Sequence, residues 1–540
     1  MSNKLASNKK ANKQSKRAEA ETIEISGNIL EYIVAILAIA VSVLVPLYLK
    51  NGYHGVGDCK YELYRGIMIA GLSITAVFLV IFWLMSNFKI KDALSVLDGF
   101  VLAFSILMII SAIAGGNFKE CINGYNGWYM GILMLLSFVA LYFILSRFGR
   151  YYQAILIAML GTAFITYVIA ILHRLLIDPI GVYGLGTEAE ISDYYKNMFL
   201  STLGQSSWNS AYLCTIFPVG IGLYCIAKNE LLRIASGIFT LVGFMTLVSQ
   251  NGDSPYFALA GFMPLLFVLC ADEARKMMRF FEVVFMFFLS TKCIALLFAW
   301  HPFEGLKFEK ITSFVLYSKF MWILAICSVI LWMIFGICEK NKIYNAKIVR
   351  VIGYSLIAIE VCIIISCIVI MCCFAKGILS EKMMTVVSQI PYLQWNEYWG
   401  NGRGKTWMFS VKMFKDMSIT NKLFGVGPDG YAPYAYASYY EQLAQMWGEL
   451  KLTNAHNEWL NALINYGIIG VISYIGIFIS AIVSFIKNVK KEPILICFTT
   501  TIVSYMCHNF FCYQTVCCTP FVFILIGIGA YICRKRKDNN

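Results

Sequence analysis

Runs of about twenty apolar residues, each bounded by charged or turn-forming residues, recur from residue 29 to residue 533. At ~1.5 Å rise per helical residue, such a run matches the hydrocarbon thickness of a bilayer. Backbone N–H and C=O groups find no water in lipid, so each run must satisfy them within its own segment, as a helix. Fourteen candidate spans follow: 29–49, 66–86, 95–115, 128–147, 151–172, 208–227, 231–249, 255–271, 280–300, 312–337, 348–374, 463–486, 493–510 and 515–533. Composition agrees, with 59% of the 540 residues hydrophobic, 14% charged and a mean hydropathy of +0.69. A soluble chain is nearer half apolar and a quarter charged. The expected fold class is all-α: a polytopic integral membrane protein with about 14 transmembrane helices and a large extracytoplasmic loop.

Lys and Arg number 44 against 31 Asp and Glu. In a soluble chain that excess would suggest nucleic acid; in a membrane chain it is first a record of orientation. With the N-terminus inside, every inner segment is basic, as in Arg275, Lys276 and Arg279, or Lys340, Lys342, Lys347 and Arg350, or Lys487, Lys490 and Lys491. Lys89 and Lys91 fall on another inner loop. The short outer loops hold only Lys50, Lys60, Arg65, Lys119, Arg174, Lys196, Lys307 and Lys310. The expectation is a multi-pass membrane protein with both termini cytoplasmic and no nucleic-acid partner. Residues 1–28 form a basic cytoplasmic tail, 29–374 helices 1–11, 375–462 the large extracytoplasmic loop, 463–533 helices 12–14, and 534–540 a second basic tail. The first apolar run ends without an A-x-A-like cleavage site, so it reads as an uncleaved span.

Most of the 18 cysteines sit in apolar runs such as CIIISCIVIMCC, residues 362–373, where a thiol is a small hydrophobe. No C-x-x-C pair has a matching partner and no H-x-x-x-H spacing occurs, so no metal site and no cofactor are expected. Cys59 and Cys121 both fall in outer loops, either paired or free. GVGPDG (425–430) matches G-x-G-x-x-G but carries Pro428 and lies outside the membrane, so it reads as a tight turn. The large loop is rich in Tyr431, Tyr434, Tyr436, Tyr439, Tyr440 and Trp447, which suit either a headgroup-level belt or a platform for stacking sugars.

The stretch TNAHNEWLNALINYGIIG (453–470) runs from a polar cluster straight into an apolar helix. With Asn454 as N-cap, His456 falls in the first turn of the twelfth span, where the helix terminus favours neutral imidazole. Neutral imidazole can act as a general base; the other reading is an interfacial histidine without chemistry. Arg403 and Lys405, in GNGRGKTW (401–408), suit phosphate binding or are solvated loop charges. Lys292 and Lys319 each lie seven or eight residues from the outer end of an apolar run. They either snorkel or form a site for an anionic lipid head group.

With these residues assembled, the chain resembles the O-antigen ligase and Wzy-type O-antigen polymerase family of bacterial membrane glycosyltransferases. AHNEWLNALINYGIIGVISY (455–474) resembles the family's histidine motif, and RGKTWMFSVKMFKDMSITNKLFGVGPDGY (403–431) its Arg, Trp and G-x-G-P segment. FLSTLGQSSWNSAYLCTIFPVGIGL (199–223) resembles its Gly-Asn-Pro-Asn segment with altered centre. The family's Ser-Arg pair is replaced by SQNGDS (249–254), where Lys292 or Lys319 would have to substitute. The resemblance implies a metal-independent enzyme that polymerises or ligates polyprenyl-pyrophosphate-linked oligosaccharides on the outer face of the cytoplasmic membrane. His456 would be catalytic; Arg403, Lys405, Trp407, Lys292, Lys319 and Asn457 would bind substrate. The acceptor would be a glycan, a lipid or a protein hydroxyl, with membrane lipids as surroundings. The rival expectation is a lipid-linked oligosaccharide flippase or other polysaccharide transporter, which would have short outer loops and no need of His456.

Overall fold

The computed structural model describes residues 26–85, 94–182, 197–301, 308–448 and 450–538. The N-terminal basic tail up to residue 25, Lys89, Lys91, Lys196 and Lys307 lie outside them. The architecture is all-α apart from a two-residue hairpin, β1 (Phe199–Leu200) paired antiparallel with β2 (Gly204–Gln205). The helices up to the hairpin are α1 (Ser26–Leu47), α2 (Val56–Met85), α3 (Val96–Ala114), the short α4 (Phe118–Asn123), α5 (Ile132–Phe148) and α6 (Tyr152–Arg174). After the hairpin come α7 (Ser206–Ile226), α8 (Glu230–Ser249), α9 (Ser254–Cys270), α10 (Ala274–Trp300), α11 (Lys310–Tyr317), α12 (Phe320–Lys340) and α13 (Ala346–Ala375). The long loop contributes α14 (Glu381–Val387), α15 (Trp399–Asp416), α16 (Ile419–Phe424) and α17 (Tyr431–Trp447). The chain closes with α18 (Glu458–Asn488), α19 (Leu495–His508) and α20 (Thr519–Asp538).

The expected spans other than 312–337 each fall on one helix, though not all of these helices are long enough to count as membrane spans. Among the described residues, 10 helices are long and apolar enough to cross a membrane. The spans expected near 128, 255 and 493 are the shorter apolar helices Ile132–Phe148, Ser254–Cys270 and Leu495–His508, and the last span, α20, runs into the basic Arg534 and Lys535. The bundle is centred on α7, 89% of whose apolar window is buried, with α19 packed against both α7 and α9, and α20 against α5. At the periphery lies α13, whose window is 0% buried. A buried carboxylate ties one end of the bundle together: Asp98 of α3 accepts from the Tyr142 hydroxyl at 2.7 Å, from Arg147 at 2.9 Å and from Arg534. Cys59 and Cys121 are free thiols, Cys121 buried against the Val426 carbonyl.

Two expectations are corrected. The 312–337 run is not one helix: Ser318, at φ −68°, ψ 139°, ends α11 and Lys319 starts α12 as its N-cap. The carbonyls freed by that break need a donor, and Lys292 Nζ reaches Leu316 O at 2.8 Å. Lys319 is exposed at this break and caps a helix, where the expectation had it inside one. The long loop, in turn, is a helical layer with its own core of Phe409, Met413, Met417, Val426, Tyr431, Leu443, Leu452 and Ile464. The aromatic residues expected to form a platform build that core. Tyr431 is buried with its hydroxyl 2.7 Å from Ser410 Oγ; Tyr434, Tyr436, Tyr439 and Trp447 pack around it; Tyr440 alone of the six is largely exposed, at 68%.

Candidate active site

The first turn of α18 fixes the histidine. Asn457, with φ −153°, ψ 113°, accepts Trp459 N at 3.0 Å and Leu460 N at 3.1 Å on its side-chain oxygen. It is therefore the N-cap, and the side chain that the resemblance assigned to substrate holds the helix start. Asn454 does not cap the helix: its Oδ1 accepts His456 N at 2.8 Å in an Asx turn. His456 thus sits one residue before the cap, outside the helix, at φ 49°. A non-glycine residue in that left-handed region is strained by about 1–2 kcal/mol and is held by the flanking Asn bonds.

The imidazole is half-buried, with its ring edge-on to Tyr513 at 5.3 Å between centroids. Burial first, and then the nearby Arg403 cation, lower its pKa to about 4. The ring is neutral at neutral pH as expected, through burial and a neighbouring charge instead of the helix terminus. Among the described residues neither ring nitrogen has a hydrogen-bond partner, so both are free to meet a ligand.

Arg403 rises from a sharp turn in which Gly400, Asn401 and Gly402 all have positive φ, so α15 proper begins at the arginine. Gly404 follows because a Cβ there would lie 2.0 Å from the Asn396 carbonyl oxygen. The guanidinium spends Nε on Phe511 O at 3.2 Å and Nη1 on Gly400 O at 3.0 Å. Among the described residues it has no carboxylate within ion-pair distance, so most of its donors stay available to an anion. Asp253 and Glu309 lie within its electrostatic reach; burial pushes both carboxyls above the ordinary carboxylate range, and Arg403 opposes this. Around the arginine the rings of Trp395, Trp399, Trp407 and Phe511 pack together, with Trp399–Trp407 centroids at 5.3 Å and Trp407–Phe511 at 6.2 Å. A cavity of about 530 Å³ opens beside them, lined by Trp395, Trp407, Met408, Lys412, Lys415 and Leu460.

The structure therefore brings His456, Asn457, Arg403 and Trp407 into one region and leaves three expected residues elsewhere. Lys405 turns into the loop core, its Nζ on the Met446 carbonyl and 4.9 Å from the Trp447 ring centroid. Lys292 is occupied at the α11–α12 break, near the rings of Phe288 and Trp322. Lys319 is exposed beside that break. At SQNGDS the arginine comes from another helix: buried Arg174 donates Nε to Ser249 O at 2.8 Å and Nη2 to Gln250 O at 3.0 Å. Sequence reasoning missed Arg174, Glu458, Phe511 and Tyr513. For Phe511 and Tyr513 the signal was faint, a break in the apolar pattern at His508, Asn509, Gln514 and Thr515; Arg174 and Glu458 read as charges at helix ends.

Fold and site define a polytopic helical membrane protein that sets an uncharged histidine beside an arginine with free donors. Residues 311–475 match the Wzy_C family model, described as O-Antigen ligase, which supports the resemblance to the O-antigen ligase and Wzy family. That span runs from α11 into α18 and contains Arg403, Trp407, His456 and Asn457. No curated protein matches the chain. By its long apolar helices the chain is a multi-pass membrane protein, and its 311–475 portion is similar to the O-antigen ligase family model.

Proposed function

We propose that the protein is a glycosyltransferase that polymerises or ligates polyprenyl-pyrophosphate-linked oligosaccharides on the outer face of the cytoplasmic membrane. The observation that carries this reading is the pairing of neutral, open His456 with Arg403, whose guanidinium lacks an acidic partner within ion-pair distance. The acceptor hydroxyl oxygen attacks the anomeric carbon of the donor sugar, and the bond from that carbon to the pyrophosphate oxygen breaks. The hydroxyl proton passes to His456, and the polyprenyl pyrophosphate leaves with the bonding pair, its charge met by Arg403. The leaving group is already activated, so the protein's task is to position, to deprotonate and to neutralise. Trp395 and Trp407 offer ring faces for a sugar beside the arginine. The basic bias of the inner loops supports the outer location of the large loop.

The test is His456→Ala in cells, followed by extraction of lipid-linked glycan and assay of the face on which it resides. Loss of the base slows transfer by about 10²–10⁴. Lipid-linked units should accumulate on the outer face while long or ligated product disappears. Normal product would remove His456 from the mechanism, and inner-face accumulation would make the protein a flippase.

A further inference from the structure

The segment between α19 and α20 carries both partners of the catalytic pair. Its Phe511 carbonyl accepts Arg403 Nε at 3.2 Å, and its Tyr513 ring meets His456 edge-on. This segment is irregular backbone, so something outside it must fix its path. One residue holds it at both ends. Glu458 donates its backbone N–H to Asn509 O at 2.9 Å, and its carboxylate accepts Gln514 N at 2.8 Å. The Gln514 side chain is held as well, donating Nε2 to the Tyr474 hydroxyl at 2.7 Å. Glu458 is 1% exposed, and Gln514 and Tyr513 are each 5% exposed.

We propose that Glu458 is a positioning residue, a clamp that holds the 509–514 segment so that Tyr513 orients His456 and the Phe511 carbonyl orients Arg403. What the clamp needs from the Glu458 side chain is a buried oxygen that accepts from Gln514 N, which an apolar side chain cannot supply and an amide of the same shape can. Glu458 thus holds the segment with one bond from its backbone N–H and one to its side chain, each of fixed direction. Its backbone is two residues from His456, so the clamp references the arginine and the histidine to one helix start. A displacement of about 1 Å between reacting groups costs on the order of 10² in rate, which sets the scale of what the clamp protects. This inference rests on the proposed roles of His456 and Arg403.

The experiment compares Glu458→Ala, Glu458→Gln, Tyr513→Ala and the double variant Glu458→Ala/Tyr513→Ala, with His456→Ala as control. The full-length proteins are reconstituted in proteoliposomes with lipid-linked oligosaccharide extracted from a strain of the host that lacks this gene. Glu458→Ala should lower kcat per folded molecule by about 10–100-fold with little change in KM. Glu458→Gln, which keeps an acceptor for Gln514 N, should recover most of that loss. The double variant should lose no more than the worse single variant, since both break one device. Wild-type kcat in Glu458→Ala, failure of Glu458→Gln to recover, or losses that multiply in the double variant would each overturn the clamp. If Glu458→Ala does not fold, Tyr513→Ala decides: it must lower kcat by the same order, and a normal kcat refutes the proposal. Full activity of His456→Ala would instead overturn the catalytic reading and the clamp with it; an inactive His456→Ala beside a normal Glu458→Ala overturns the clamp alone.

Discussion

A histidine before the N-cap is neutral for reasons that predict how it titrates. Burial contributes first and Arg403 second to a pKa of about 4, against an ordinary value near 6.5. Between those values the unfolded chain binds the proton and the folded site does not, so this group's contribution to stability falls as pH drops from about 6.5 to about 4. The acid limb of kcat/KM should accordingly lie near pH 4. Arg403→Gln removes the second cause and leaves the first, so the limb should move up, short of 6.5. Turnover should fall by about 10²–10³ through loss of the charge that meets the leaving group. A pH–rate profile from pH 4 to 8 checks both, and an unmoved limb would show that Arg403 does not act on His456. At this scale the sequence was partly legible. His456 and Arg403 stood out through motif context, whereas two asparagines three residues apart both suit an N-cap, and only geometry assigned that role to Asn457. Glu458 reads in sequence as a solvated charge at a helix start; its burial depends on a segment some fifty residues downstream.

Helix α18 is built to be interrupted. Gly467 takes φ 66°, ψ −176°, a region essentially restricted to glycine, and divides a first piece that carries the catalytic loop from a second that crosses the apolar bundle. The break frees helix carbonyls, and the GVGPDG turn supplies the donors: Val426 N to Ile464 O at 3.1 Å and Gly427 N to Asn465 O at 2.9 Å. The same turn is anchored on its other side by Asp429, which accepts Tyr125 N at 2.7 Å and Met130 N at 3.0 Å. Burial pushes the Asp429 carboxyl up to about 6 against those two bonds. A Cβ on residue 467 would lie 2.4 Å from the Leu423 carbonyl carbon, so Gly467→Ala meets both backbone strain and a collision with backbone. The expected loss is about 1–3 kcal/mol from the strain alone, read as a lower melting temperature in detergent, with the turn unseated from the site. A variant that melts like wild type would mean that the break is not required. Hydrophobic periodicity placed a span at 463–486 but could not show the break, because one glycine in an apolar run leaves the pattern intact. The α11–α12 break at Ser318 was also hidden inside an apolar run, so Lys319, expected within a helix, instead caps one.

Across the whole molecule, the spacing of apolar runs located the helices because membrane thickness and backbone satisfaction act on each segment alone. The order in which helices pack, with α7 and α19 central and α13 outermost, depends on contacts distant in sequence and was not legible. The folded layer within the long loop was hidden too, since its core is drawn from α15, α17, the segments that connect them and the start of α18. Orientation is the remaining property that the charge pattern addresses and that the mechanism requires. Tyr440 is 68% exposed on the loop layer, and Lys490 is exposed between α18 and α19. These two positions lie beyond opposite ends of the second, membrane-crossing piece of α18. Tyr440→Cys and Lys490→Cys should therefore respond oppositely to a membrane-impermeant maleimide on intact cells, the first labelled and the second labelled only after permeabilisation. The exposed native Cys327, Cys362 and Cys372 lie on α12 and α13, facing hydrocarbon that a charged reagent does not enter, so the unsubstituted protein supplies the baseline. Labelling of Lys490→Cys without permeabilisation would invert the molecule. His456 and Arg403 would then face the cytoplasm, away from any donor presented on the outer leaflet.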